Sequence, residues 1–154
     1  PDGSPSYVAI DDTKGRGWEV DIAGQLLPGW SLQAGYARVV TRDGTGADIG
    51  GDLPKHQVKL FTTWKPAPLP ALTVGGGLYW QSRFYSTFAD ESLRNLYTQK
   101  AYTVVNLMGR HAFNRSVSLS LNLNNVFDKR YRTESTRHEY GMPRSLMATL
   151  RYQY

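Results

Sequence analysis

The chain has 154 residues, 40% of them hydrophobic, a net charge of +5 and no cysteine. That is enough apolar material for one domain, while the missing cysteines exclude disulfide frameworks, thiolate zinc sites and thiol nucleophiles together. Lysine and arginine are interspersed with acidic residues, which argues against a nucleic-acid arm, and no stretch of 18 apolar residues offers a transmembrane helix, a test that a transmembrane barrel escapes. Fifteen glycines, ten tyrosines and scattered Thr and Val, without runs of Ala, Glu, Leu and Lys, point to an all-β chain. Because it starts at Pro1 with neither initiator Met nor signal peptide, an exported protein would be represented here by a processed or excised piece.

Period-two alternation recurs seven times along the chain. The first strand sets Trp18, Val20, Ile22, Gly24 and Leu26 against Glu19, Asp21, Ala23 and Gln25, and ends at Pro28-Gly29; Ser6 to Ile10 could start it earlier. The second sets Trp30, Leu32, Ala34 and Tyr36 against Ser31, Gln33, Gly35 and Ala37, before a glycine-rich polar loop over 41–54. The third sets Val58, Leu60, Thr62 and Trp64 against Gln57, Lys59, Phe61 and Thr63 and stops at PAPLP, whose prolines cannot donate to a ladder. The fourth sets Leu72, Val74, Gly76, Leu78 and Trp80 against Thr73, Gly75, Gly77, Tyr79 and Gln81, and a polar loop follows over roughly 83–98. The fifth, Ala101 to Phe113, puts Val105, Leu107, Gly109, His111 and Phe113 opposite Asn106, Met108, Arg110 and Ala112 and turns at Asn114-Arg115. The sixth is SVSLSLNLN from Ser116, followed by a loop from Asp128 to Met142. The seventh sets Leu146, Ala148, Leu150, Tyr152 and Tyr154 against Ser145, Met147, Thr149, Arg151 and Gln153.

Short turns and long loops alternate, so every long loop falls at one end of the sheet, the asymmetry of outer-membrane barrels. On the apolar face Trp30, Trp64, Phe113 and Tyr154 fall at the short-turn end, and Trp18, Tyr36 and Trp80 near the long-loop end. Between these two aromatic girdles the face is Leu, Val, Ile, Ala and Gly, the profile of a lipid-facing band. Strands of about ten residues suit a tilted crossing of hydrocarbon, and Glu19, Asp21, Lys59, Arg110 and Arg151 on the other face suit a wet or plugged lumen. The plain alternative is a soluble β-sandwich binding module with one face packed and one wet. Bacterial single-chain barrels carry even strand counts, and two open edges would leave backbone groups unpaired in hydrocarbon, so seven strands imply a part of a larger barrel.

RGWEVDIAGQLLPGWSLQAGY, DLPKHQVKLFTTW, LTVGGGLYWQS, LSLNLNNVFDKRYR and GMPRSLMATLRYQY, in this order, resemble the C-terminal part of TonB-dependent ferric siderophore receptors of the outer membrane. The resemblance runs from about Arg16 to Tyr154, and NNVFDKRY followed by a final aromatic strand is its most specific element. It implies the last seven strands of a 22-stranded barrel, with the signal peptide, TonB box, plug domain and remaining strands outside this chain. It also implies that the short turns are periplasmic and the three long loops extracellular. Relatives commonly end in Phe, where this chain has Tyr154, and often carry Tyr where it has His111, here read as an interfacial residue.

Catalytic chemistry finds no constellation. His138-Glu139 lacks a second histidine at metal spacing, Gly75–Gly77 opens no helix and reads as strand curvature or room inside the barrel, and Glu19 with Asp21 suits lumen salt bridging. No metal and no cofactor is expected; Fe(III)-siderophore would be the cargo. Ligand contact at an extracellular mouth calls for aromatic faces and hydrogen-bonding or positive groups, for which the candidates are Trp80, Phe84, Tyr85, Tyr97, Arg132 and Tyr140. The partners implied by the resemblance are a ferric siderophore, the protein's own plug domain, outer-membrane lipid, and the TonB–ExbB–ExbD complex reached through the N-terminal region, with no nucleic acid. A passive porin-type channel shares the strands and girdles and is separated from a receptor by whether a plug precedes the barrel.

Overall fold

The computed structural model describes residues 12–86, 97–135 and 139–154. In chain order the strands are β1 (Lys14–Leu27), β2 (Trp30–Arg42), β3 (His56–Trp64), β4 (Leu72–Gln81), β5 (Phe84–Tyr85), β6 (Thr98–Gln99), β7 (Tyr102–Ala112), β8 (Val117–Asn124) and β9 (Ser145–Tyr152). The two-residue β5 and β6 pair only with each other; the other seven form one antiparallel sheet in which every strand lies beside its sequence neighbours. The seven expected strands are therefore the seven of the sheet. The loop expected over 83–98 differs at its ends, where the β5–β6 ladder makes a small hairpin base. The possible earlier start at Ser6 to Ile10 lies outside the described residues.

Local chemistry explains each short turn. Gly29 has a φ of +79°, the conformation that the second central position of a Pro-Gly type II turn requires. At the β3–β4 end, Leu69 N donates to Pro66 O at 3.0 Å and Leu72 N to Leu69 O at 2.9 Å, two tight turns where prolines withhold donors from the ladder. Between β7 and β8, Asn114 Oδ1 accepts both Ser116 N and Val117 N at 2.8 Å, so the asparagine side chain replaces backbone pairing at the corner.

Register carries the alternation across the whole sheet. One unbroken row runs Gly24, Leu32, Thr62, Gly76, Leu107, Leu123 and Leu146, directly paired from β1 to β9. The adjacent row runs Gln25, Ser31, Thr63, Gly75, Met108, Asn122 and Met147, and its side chains stand on the other face. One local shift departs from strict alternation. A bulge at Gln25/Leu27 places Leu27, and not Leu26, opposite Trp30.

β1 and β2 run further than alternation indicates. Their ladder continues past Trp18–Arg38 through Arg16–Val40 to Lys14–Arg42. Alternation fades there because Lys14, Arg16, Arg38 and Arg42 take outward places while Gly15, Gly17 and Val39 face inward, and backbone pairing needs no apolar side chain.

The outward face has no protein cover. Ile22 is 62% exposed and Leu150 70%, and no side chain among the described residues falls below 2% exposure. A sheet of this kind gains stability from its backbone ladder and from lipid on its apolar face, not from an internal core. The glycine run serves the opposite face: a Cβ at Gly75 would meet Thr62 O at 2.7 Å and Met108 Sδ at 3.1 Å, and one at Gly77 would meet Phe61 Cδ2 at 3.4 Å. These glycines make the room that Met108 and Phe61 occupy.

In the complete barrel carrying this chain, Leu121→Lys places a charge on the lipid face and is expected to cost about 2–4 kcal/mol. Asn122→Lys, one residue on and facing inward, is expected to cost less than about 1 kcal/mol. Urea titration of the barrel folded into lipid vesicles measures both.

Candidate functional site

The three long connections converge at one end of the sheet, above an aromatic cluster on its inner face. Tyr79 stands in the inward row with Asp21, Gly35, Lys59 and Val104, and Tyr102 pairs with Gln81 in the inward row above it. Tyr79 donates its hydroxyl to Gln81 Oε1 at 2.7 Å, meets Tyr102 edge-on at 6.2 Å, and Tyr102 stacks on Tyr131 of the β8–β9 loop at 4.4 Å. Aromatic contacts of this geometry hold loop and wall together and leave ring edges and hydroxyls for polar contact.

The segment after β8 is a hydrogen-bonded hub. Asn125 is 3% exposed and takes a φ of +49°, which asparagine tolerates better than most residues. Its backbone N donates to Asn106 Oδ1 at 2.8 Å, and its Nδ2 donates to Lys129 O at 2.9 Å and Met142 O at 3.0 Å. Its Oδ1 accepts Lys129 N at 2.8 Å. Asp128, also at positive φ (+50°), accepts Arg144 N at 2.9 Å on Oδ1. These two side chains close the neck of the loop. Tyr131 then lies against Gly141, where any side chain would collide with its ring.

Further contacts join the loops to one another. Ser135 Oγ donates to Asp52 Oδ1 at 2.7 Å across 83 residues of sequence, and Arg132 N donates to Gln99 Oε1 at 2.8 Å. Tyr85 N donates to Gly51 O at 2.7 Å, and Ser82 N to His56 O at 2.9 Å. Lys55 and Asp48 form an ion pair inside the first loop. Asp43 Oδ1 accepts Thr45 Oγ1, Thr45 N and Ala47 N, and the Thr45 hydroxyl above all holds its carboxyl below the ordinary aspartate range. The described parts of the long loops therefore form one connected layer.

A family model described as "TonB dependent receptor-like, beta-barrel" matches residues 1–126. The chain belongs to this family. It is similar to the ferric-pyoverdine BN7/BN8 receptor of Pseudomonas putida, 37% identical over 96% of the chain and 18% of that protein. The ferripyoverdine receptor of Pseudomonas aeruginosa is 38% identical over 92% of the chain and, again, 18% of its own length. Among solved structures, the pyoverdine outer-membrane receptor FpvA of P. aeruginosa PAO1 bound to pyoverdine superposes with a TM-score of 0.81 at 36% identity, covering 92% of the chain and 22% of the receptor. The chain thus spans about a fifth of the length of the relatives it matches, and its open sheet is part of an outer-membrane barrel.

Within that TonB-dependent barrel the sequence-selected residues fall in three places. Trp18 and Tyr36 touch at 4.8 Å on the outer face, Trp30 and Trp64 are direct cross-strand partners there, and Phe113 meets His111 edge-on at 4.9 Å. Trp30 Nε1 also donates to Thr62 Oγ1 at 2.8 Å, and Tyr154 stands fully exposed beyond β9. Trp80, read from the sequence both as an apolar-face aromatic and as a mouth candidate, pairs with Val58 and Thr103 on the outer face and so stands with the lipid-side aromatics. Phe84 is 2% exposed beneath the loop layer and packs there, while Tyr85 and Tyr97 belong to the small hairpin base, joined by Ser86 N donating to Tyr97 O at 3.2 Å. Arg132 and Tyr140 face each other through a backbone bridge in the last loop, with Arg130 5.5 Å above the Tyr140 ring. Tyr79, Tyr102 and Tyr131 are the aromatics that sequence reasoning passed over. Their signal was present: Tyr79 sits on the inward side of its strand and Tyr131 ends the NNVFDKRY segment.

Glu19 and Asp21 make no ion pair among the described residues. The carboxylate of Asp21 folds over Gly35 instead. His138, half of the His138–Glu139 pair, lies outside the described residues.

Asn125→Ala removes three hydrogen bonds of the loop neck and leaves two carbonyls and an amide unpaired, an expected cost of about 2–3 kcal/mol. The loss is expected to appear first as faster limited proteolysis of the β8–β9 loop in the complete barrel, with strand content unchanged by circular dichroism.

Proposed function

We propose that the protein carrying this chain is an outer-membrane receptor that binds a ferric siderophore of the pyoverdine kind at the cell surface and imports it with TonB energy. The observation that carries the reading is the 37% and 38% identity to two pyoverdine receptors over nearly the whole chain, loops included. The connected loop layer over an inward tyrosine cluster supports it, since a bulky polar chelate needs a pre-formed, aromatic, hydrogen-bonding mouth.

This chain supplies barrel wall and part of that mouth. In this reading ligand contact falls to Arg132 and Tyr140, which face each other in the last loop, and to Tyr85 and Tyr97 at the hairpin base, with the Tyr79–Tyr102–Tyr131 cluster below them as the inner wall. Binding is the whole contribution of these side chains; no bond is made or broken. In the complete protein a plug domain would occupy the lumen, and the TonB–ExbB–ExbD complex, working from the inner-membrane proton gradient, would remodel the plug and release the iron complex inward.

Uptake of labelled ferric pyoverdines by cells with and without the full-length protein, each with and without a protonophore, tests the reading. Uptake that depends on the protein and collapses with the proton gradient is expected. Protein-dependent uptake that ignores the protonophore would mean a passive channel. In the same assay the double substitution Arg132→Ala with Tyr140→Ala is expected to weaken the apparent affinity about tenfold, with barrel assembly intact.

A further inference from the structure

Beyond the upper aromatic girdle, the lengthened hairpin of β1 and β2 carries a cationic cleft on the outer face. Trp18 pairs with Arg38, Arg16 with Val40, and Lys14 with Arg42, so all six side chains stand on the face that bears Val20, Ile22 and Tyr36 lower down. Lys14, Arg16, Arg38 and Arg42 line one cleft of about 540 Å³ with Val40 and the turn Asp43 to Gly46. All four cationic residues are exposed, and no carboxylate among the described residues lies within ion-pair distance of them. Two acids stand nearby, Asp43 in the cleft lining, with Oδ1 held by three hydrogen bonds of its own turn, and Asp12 over Gly44; both carry charge, so the four cations outnumber them and leave the cleft positive.

Position identifies what meets this charge. Strands rise about 3.3 Å per residue, which sets Lys14 and Arg42 roughly 13 Å along the strand beyond Trp18 and less than that along the membrane normal once the strands tilt. Trp18 and Tyr36 mark the hydrocarbon edge. Four cations without an ion-pair partner among the described residues stand at headgroup depth on the lipid side of that edge, and they belong to the long-loop end, which the family orientation directs to the outer leaflet. A lumen ligand is excluded by the face, and a plug contact by the same argument. The planar forks of three arginines suit phosphate oxygens in bidentate geometry.

The geometry points to a lipid-binding site in which Lys14, Arg16, Arg38 and Arg42 hold the phosphate groups of an anionic glycolipid of the outer leaflet, its acyl chains lying against the outer face below the Trp18–Tyr36 pair. The site is independent of which solute the barrel transports. Its affinity falls with salt, because the charges are solvent-exposed at the headgroup layer.

The test titrates the complete barrel in detergent micelles with diphosphorylated lipid A, with lipid A stripped of its phosphates, and with inorganic phosphate. Saturable binding of the first is expected, weakened about a hundredfold by the combined Lys14→Ser, Arg16→Ser, Arg38→Ser and Arg42→Ser substitutions and restored toward wild type when the three arginines are replaced by lysine. Equal binding of phosphorylated and stripped lipid would reduce the site to acyl contact and overturn the inference, as would unchanged binding by the serine variant. Inorganic phosphate displacing the lipid at equal concentration would make it a free-anion site and overturn the lipid assignment. Heat-modifiable gel mobility reports whether the quadruple variant folds; where it does not, single Arg→Ser variants are read instead, each expected to weaken binding about threefold to fivefold.

Discussion

In hydrocarbon every backbone N–H and C=O must find its partner inside the protein, and the architecture of this chain follows from that constraint. Seven strands, each paired with its sequence neighbour, satisfy the interior of the sheet through local connections alone. Because pairing and not packing holds the strands, the sheet dispenses with a hydrophobic core, and Leu, Val and Ile stand on a face that only lipid can cover. The same constraint makes β1 and β9 incomplete as edges, for their outer backbone groups need strands beyond this sheet.

Above the girdle, water relaxes the constraint and side chains take over the work of ordering backbone. Asn125 and Asp128 adopt positive φ and satisfy the loop neck with their own amide and carboxylate, and the Asp43 carboxylate orders a shorter turn. Ser135 and Asp52 then join loops that are distant in sequence. In the proposed function this would favour binding, because loops that are already connected lose less conformational freedom when a ligand arrives.

The two faces of the lengthened β1–β2 hairpin illustrate how one strand serves three environments. Its lower part alternates apolar and polar residues between lipid and lumen, Trp18 and Tyr36 mark the boundary, and Lys14, Arg16, Arg38 and Arg42 extend the lipid-side face into the headgroup layer. The outward parity is kept throughout. What changes along the strand is the solvent that parity presents to the side chains.

Most of the strand architecture was legible in the sequence, because a period of two with one solvent on each face imprints itself on every residue of a span. Leu32, Leu107 and Leu146 declared the lipid side, Trp30 and Trp64 the lower girdle, and Pro28-Gly29 and Asn114 the turns, each through purely local chemistry. The sequence by itself therefore determined the strands, their faces, and membership of an outer-membrane receptor barrel. Tertiary structure decided what depends on residues far apart: the bulge that sets Leu27 opposite Trp30, the β5–β6 ladder, the burial of Phe84 beneath the loops, and the stacking of Tyr131 on Tyr102. It also decided that Asp21 lies over Gly35 and that four cations from two strands share one cleft. Periodicity assigns a side chain to a face, but which neighbours it meets there is set by register and loop closure, and neither leaves a period in the sequence.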